Sequence, residues 1–384
     1  MRAPSDRARR LWRDTITVDM HNDLPTRALD DGYDADVRHP AGVAERTEGH
    51  TDLPRLVESG LTAVFLAAWV DASYARGAPG GSFARALRGV EWIRAFAARH
   101  PAHLLLATSA HDVRRAKREG RVAILVGVEG GHAIEDSLDH LRELHRLGAR
   151  YLTLTWNNGN GWAGSSIGVD GTRTGGLTAF GREVVGELNR LGMLVDVSHV
   201  SDTTFDDVLA ASAAPVVATH SCARALADHP RNLRDDQLRA VARTGGVVNV
   251  NFYARFLDVR HAAAWDAVDR DIGAARLAIS GAADPDAARA EFEAARRRLL
   301  ATIPHTPLDV LVDHIEHVAR VAGIDHVGIG SDFDGINGLP RGLDDVAALP
   351  RLAEALLARG LADADVAAIL GGNMLRVMDQ VLRP

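Results

Sequence analysis

Eight short runs rich in apolar and β-branched residues alternate with longer amphipathic stretches, and this alternation restricts the fold more than any other feature of the chain. The runs are TITVDM (15–20), LTAVFLAAWV (61–70), RVAILVGVE (121–129), RYLTLTW (150–156), MLVDVSHV (193–200), PVVATHS (215–221), GVVNVNFY (246–253) and DHVGIGSD (325–332). Between most of them lie stretches of helical periodicity, such as LTAFGREVVGELNRLG (177–192) and LDVLVDHIEHVARVAG (308–323). Strands alternating with helices make βαβ units and a parallel sheet. Eight such strands fit a closed (β/α)8 TIM barrel, within the α/β class, better than an open doubly wound sheet. The open sheet would want a glycine-rich turn after an early strand, and the first run leads instead into DMHNDLP (19–25). The segment 262–303 is rich in Ala, Arg and Glu and carries no strand of its own, which predicts a helical insertion before the last strand, packed on the barrel rim. Two periodic stretches, 345–360 and 363–379, predict helices that close the chain. No internal repeat or low-complexity linker interrupts it, so 1–384 reads as a single domain.

In such a barrel the functional site is built at the C-terminal ends of the strands and in the loops after them. His21 and Asp23 follow the first run, Glu129 ends the third, His199 the fifth, His220 the sixth and Asp332 the eighth. In a regular strand residues two apart share a face, so His21 and Asp23 are expected to point the same way. All six are metal-ligand types, and imidazole plus carboxylate without thiolate suits zinc or another first-row divalent ion. Any one strand-end His reads more simply as a hydrogen-bonded structural residue; the coincidence of six at one mouth does not. Glu129 adds weight, because it follows the apolar run VAILVGV and a buried carboxylate without a cation is costly. Of the 17 His, those at 100, 103, 111, 140, 145, 314 and 317 fall in helical or loop patterns and are assigned to solvated faces. Five ligands exceed the three that one catalytic zinc takes beside a water, and suit two ions sharing a bridge. The single lysine, Lys117, is not at a strand end, so a carboxylated lysine cannot be that bridge and Glu129 is the candidate.

Charge and composition narrow the partners. A net charge of −7 and a pI near 6.2 argue against nucleic acid or an anionic membrane surface. The one cysteine, Cys222, excludes an intramolecular disulfide and a thiolate zinc cluster. No apolar run reaches the length of a membrane span, and the basic N-terminus lacks the apolar core of a signal peptide, so a cytoplasmic protein is expected.

Taken in order, the motifs resemble those of the membrane dipeptidase (renal dipeptidase) family of dizinc peptidases, with the chain similar to a bacterial-type soluble member. The resemblance runs through DMHNDLP, GVEGGHAI (127–134), YLTLTWNNGNGWA (151–163), VDVSHVSDTTF (195–205), ATHSCARAL (218–226), HPRN (229–232), GGVVNVNFY (245–253), GSDFDG (330–335), GLDDV (342–346) and GGNMLRV (371–377). It implies a metal-dependent hydrolase barrel with two Zn2+ per chain: His21, Asp23 and Glu129 on one ion, and Glu129, His199 and His220 on the other. It further implies Asp332 as the proton-handling carboxylate, beside the substrate, and Arg231 and Tyr253 as the residues that fix the substrate's C-terminal carboxylate. On the residues alone, Arg231 reads as a surface-loop salt bridge and Tyr253 as a core aromatic. The implied activity is hydrolysis of dipeptides with a free C-terminal carboxylate, extending in the family to L,D-dipeptides and, in some members, penem-type β-lactams. A homodimer is implied in the same way. One departure stands out. Many members have a His after YLTLT that hydrogen-bonds the scissile carbonyl oxygen, and here that position is Trp156. Trp156, Asn157 or Asn158 would then supply the donor, or the substrate differs. Two other readings stay open: a dizinc amidohydrolase acting on N-acyl amino acids or cyclic amides, and a catalytically quiet homologue that uses its barrel as a binding scaffold.

Overall fold

The computed structural model describes residues 3–42, 48–78, 80–169, 175–279, 292, 294–296 and 298–383. Among the described residues there are nine strands: β1 (Val18–Asn22), β2 (Ala63–Trp69), β3 (Leu104–Leu106), β4 (Val122–Glu129), β5 (Ala149–Thr153), β6 (Leu194–Asp196), β7 (Val216–Ala218), β8 (Val247–Asn251) and β9 (Val327–Gly330). Every ladder between them is parallel, and β2 pairs with both β1 and β4 while β9 pairs with β8 and β1. The sheet therefore closes on itself in the order β1–β2–β4–β5–β6–β7–β8–β9, a (β/α)8 TIM barrel. The eight barrel strands fall in the eight runs picked out from the sequence. The ninth, β3, is an addition. It pairs with the first residues of β4, below the stretch that pairs with β5. Three leucines give no alternation to read, which is why the sequence did not announce it.

Strands covered on both faces need continuous apolar runs rather than alternation. Along β4 every residue is buried, and successive side chains serve two cores. Val64, Leu66, Ile124 and Val126 pack outward under the helices. Ala63, Phe65, Ala123, Leu125 and Tyr151 pack inward, together with Met374, Val377 and Met378 of the C-terminal helix. That helix lies at the end of the barrel away from the strand C-termini: a Cβ on Gly371 would stand 2.4 Å from the Ile16 carbonyl, just ahead of β1. The same close approach breaks the predicted 363–379 helix into Asp363–Ala367 and Asn373–Val381. In the segment predicted as an insertion, a helix runs Val259–Ile279; residues 280–291, 293 and 297 lie outside the described residues. Among the described residues no helix is long and apolar enough to cross a membrane.

Two histidines correct the sequence reading. His314 and His317 belong to the buried face of helix Leu308–Ala322, not to a solvated one. His314 donates from Nε2 to the Leu257 carbonyl at 3.0 Å and accepts from the Ala223 N–H at 3.1 Å, and His317 pairs with Asp235 at 2.7 Å. His314 ties its helix to the segments after β7 and β8, and His317 ties it to helix Asp235–Arg243. Lys117, as expected, is far from any strand C-terminus; its ammonium donates to the Arg13 and Thr15 carbonyls.

Candidate active site

The six strand-end residues converge. His21 lies in β1, Glu129 is the last residue of β4, and Asp23 opens helix Leu24–Asp31. His199, His220 and Asp332 lie in the loops just beyond β6, β7 and β9. All six are buried. The Glu129 carboxylate stands between two groups of ligand atoms. Its Oε1 is 3.0 Å from His199 Nε2 and 3.5 Å from His220 Nε2, while its Oε2 is 3.4 Å from His21 Nε2. His21 Nε2 is also 3.3 Å from Asp23 Oδ2 and 4.0 Å from Asp332 Oδ1.

Local backbone features aim these side chains. The register between β1 and β2 slips between Asp19 and Asn22, so Met20 and His21 together oppose Phe65. Such a bulge adds one residue and re-aims the side chains after it. It turns His21 into the barrel next to Met20, which a regular strand forbids. His199 and Asp332 both sit at positive φ, 70° and 61°, a region that non-glycine residues rarely adopt and that clusters at functional sites. On β4, Gly127 makes room for the Tyr151 ring, which a Cβ there would meet at 2.0 Å. The Tyr151 hydroxyl thereby reaches His21 Nδ1 at 2.9 Å.

Second partners fix the histidine tautomers. Asn157 Oδ1 is 3.1 Å from His199 Nδ1, which therefore carries the proton and donates. Thr219 donates its hydroxyl proton to Asp196 at 2.7 Å, so its oxygen accepts from His220 Nδ1 at 2.8 Å. Both Nε2 atoms are then left with lone pairs, and they face each other at 3.0 Å. Two lone pairs at that distance beside a carboxylate repel unless a cation lies among them. His21 Nε2 and Asp23 Oδ1 are likewise buried without a hydrogen-bond partner. The donor set fits divalent metal in chemistry as well as in geometry: His199 and His220 present Nε2 lone pairs with their other nitrogens held by hydrogen bonds, and carboxylates lie among the imidazoles.

The electrostatics agree. Burial alone would hold His21 below its ordinary pKa, but the Glu129 and Asp23 carboxylates push it well above. Burial opposes ionisation of Glu129, yet His21, His199 and His220 hold its carboxyl well below the usual range. Burial pushes Asp23 up, and pushes Asp332 up to about 8, with neighbouring carboxylates adding to both. A crowd of buried carboxylates of this kind is the electrostatic signature of a cation site.

The cluster floors a cavity of about 420 Å³, which is also lined by Trp156, Arg231 and Tyr253. Arg231 is not a surface salt bridge. It is 2% exposed, lies over the Phe256 ring at 5.4 Å and donates from Nη2 to the His220 carbonyl at 3.2 Å. Its Nε has no partner, and it forms no ion pair among the described residues. A buried guanidinium left unpaired in a cavity is set for an anionic ligand. Tyr253 is only partly buried and packs edge-on to Phe256 at 4.8 Å, so it is a wall of the cavity rather than a core aromatic. Trp156 stands edge-on to Trp69, with ring centroids 5.0 Å apart, and its ring centre is 6.5 Å from that of His199. Its indole N–H has no hydrogen-bond partner among the described residues. Asn158, the third candidate donor, is turned away into a separate cavity beside His132.

Several site residues escaped the sequence reading: Tyr151, Thr219, Asp196, Asn251 and Trp69. Asp196 carried the same signal as Glu129, a carboxylate inside an apolar strand; it accepts from Thr153, Thr219 and Ser198 and so stiffens the loops bearing His199 and His220. Asn251 donates to Asp332 Oδ2 at 2.8 Å. For Tyr151 and Asn251 no local signal exists, since both act only through partners distant in sequence.

Residues 5–383 match the family described as membrane dipeptidase (peptidase family M19). Among solved structures, the chain is similar to the probable dipeptidase PvdM from Pseudomonas aeruginosa, at 28% identity and TM-score 0.81 over 98% of this chain and 97% of that one. It is similar to a metallopeptidase from Rhodobacter sphaeroides liganded with a phosphinate mimic of the dipeptide L-Ala-D-Ala, at 28% identity and TM-score 0.73, covering 96% of this chain and 100% of that one. A third neighbour, the dipeptidase AC, a metallopeptidase, is 27% identical with TM-score 0.73, covering 96% and 99%.

Proposed function

Because the chain belongs to the membrane dipeptidase family and is a peptide-bond hydrolase, we propose that its strand-end cluster holds two zinc ions and that it cleaves dipeptides with a free C-terminal carboxylate. The observation that carries this is the disposition of Glu129, whose Oε1 faces His199 and His220 and whose Oε2 faces His21. His21, Asp23 and Glu129 would hold one ion, and Glu129, His199 and His220 the other. When bound, the pair supplies Lewis acidity to the scissile carbonyl and a nucleophile at neutral pH. Asp332 takes up the proton released on attack and returns it to the leaving amine. Arg231, with Tyr253 beside it, holds the carboxylate one residue past the scissile bond through a charge-assisted pair. A neighbour solved with a mimic of L-Ala-D-Ala makes L,D-dipeptides part of the proposed substrate range.

The test is a library of L,L- and L,D-dipeptides with N-acyl amino acids and a cyclic amide beside it, given to enzyme reconstituted with zinc, with metal content measured in parallel. An N-acyl amino acid offers Arg231 the same carboxylate, so preference for it over every dipeptide would shift the reading to an amidohydrolase. Full metal content with no turnover of any member would mean a binding scaffold.

Amidating the C-terminus of a good dipeptide should be as damaging as Arg231→Ala, each costing about 2–5 kcal/mol in kcat/KM. The two losses should not add, since both remove one and the same pair. Additive losses would move Arg231 away from the carboxylate.

Trp156→Phe keeps the ring against Trp69 and deletes the N–H. If that N–H meets the oxygen that becomes negative in the transition state, kcat falls by roughly 10²–10³-fold with little change in KM. Unchanged kcat would leave Trp156 as a wall of the cavity and nothing more.

A further inference from the structure

The barrel order sets two kinds of wall across from each other. With eight strands in the ring β1–β2–β4–β5–β6–β7–β8–β9, β2 faces β7 and β4 faces β8. Arg231 lies in the loop after β7 and Tyr253 just after β8, joined through the Phe256 ring. Trp69 ends β2 in register with Glu129 of β4, and Trp156 follows β5 on the other side of that strand. The two indoles touch edge to face at 72° over the intervening strand. Both line the same cavity as the ligand cluster, and so does Ile167, an isoleucine left 40% exposed. The guanidinium wall, after β7 and β8, thus stands across the barrel mouth from the ends of β2 and β4, where Trp69 and its register partner Glu129 lie and Trp156 leans against Trp69.

An extended dipeptide has a matching polarity. Its carboxylate and its N-terminal side chain lie on opposite sides of the bond to be cut, one residue of about 3.3–3.6 Å apiece. With the carboxylate on Arg231, the N-terminal residue is directed toward the indoles. Resting on the dipeptidase reading, we propose that Trp69 and Trp156 form the subsite for the N-terminal side chain and that the enzyme prefers dipeptides whose first residue is large and apolar or aromatic. Indoles suit this role because they offer large rigid apolar area, and an edge-to-face pair leaves a ring face open for a further side chain.

The experiment measures kcat/KM for Gly-Ala, Ala-Ala, Leu-Ala and Phe-Ala with zinc-loaded wild type, Trp69→Ala and Trp69→Phe. A hydrophobic pocket discriminates by roughly ten- to two-hundredfold per methylene-sized step at best. Wild type should favour Phe-Ala over Gly-Ala at least about tenfold. The ratio should collapse toward unity in Trp69→Ala and recover in Trp69→Phe. A wild-type profile flat across the four peptides overturns the proposal without any variant, so a poorly folding Trp69→Ala does not shield it. An unchanged ratio in a folded Trp69→Ala, with losses equal for all four peptides, overturns it too and makes Trp69 structural. Failure of wild type to cut any of the four, with full metal content, instead strikes the dipeptidase reading beneath it.

Discussion

Glu129→Ala should lose tight binding of both ions at once, and with them all measurable hydrolysis. Wild type is expected to hold about two divalent ions per chain. Each of the two groups of ligand atoms is small without Glu129: His21 with Asp23 on one side, His199 with His220 on the other. Among the described residues, Glu129 is the one whose two oxygens reach both, at 3.0 Å and 3.4 Å. Deleting any other ligand thins one group; deleting Glu129 thins both and removes the negative charge that offsets two dications. The loss should therefore be cooperative, with metal content per chain falling from two toward none rather than to one. Metal analysis after dialysis reads this directly and does not depend on turnover. Glu129→Gln is the companion variant: it keeps volume and one acceptor oxygen, and should bind one ion weakly at most. Either variant found with both ions at full occupancy would show that Glu129 is not the bridge.

Much of this site could be read from sequence because it obeys periodicity. A carboxylate at the end of an unbroken apolar run, as in VAILVGVE, has few explanations other than a buried charge with a partner, and Glu129 is 3% exposed. The barrel was legible for the same reason, since parallel strands buried on both faces are written as continuous apolar runs. The features that stayed hidden depend on departures from periodicity or on distant partners. The inward turn of His21 comes from a bulge opposite Phe65, and a bulge is set by the neighbouring strand rather than by its own residues. The positive φ of His199 and Asp332 has no marker in VSHVS or GSDFD. His314 was misjudged because a helix packed on both sides buries more than one stripe, and its hydrogen bonds run to loops far away in sequence. Arg231 was ambiguous in a four-residue motif. Only the folded chain distinguishes a paired surface guanidinium from a buried, unpaired one.

Asp332→Asn tests whether the sixth strand-end residue carries protons or holds metal. Both roles are open to it on position alone, because its carboxylate groups with His21 and Asp23 closely enough to share an ion. Two observations favour proton transfer. Its Oδ1 stands 4.0 Å from His21 Nε2, farther than Asp23 at 3.3 Å or Glu129 at 3.4 Å. Its Oδ2 is oriented by the Asn251 amide at 2.8 Å, as a group is held that must meet substrate at a set angle. The substitution is also clean. Asp332 sits at φ 61°, and Asn is among the few residues that tolerate that conformation, so backbone strain does not enter. The Asn amide keeps an oxygen for Asn251 but can neither take a proton at neutral pH nor return one. The expected outcome is a metal content equal to wild type and a kcat lower by roughly 10²–10⁴-fold, the usual worth of general acid–base catalysis. KM should change little, because the proton moves only once the substrate is in place. A metal-loaded variant that keeps wild-type kcat would remove Asp332 from the chemistry. One that loses an ion would make it a ligand, and proton transfer would then have to pass to another group in the cavity.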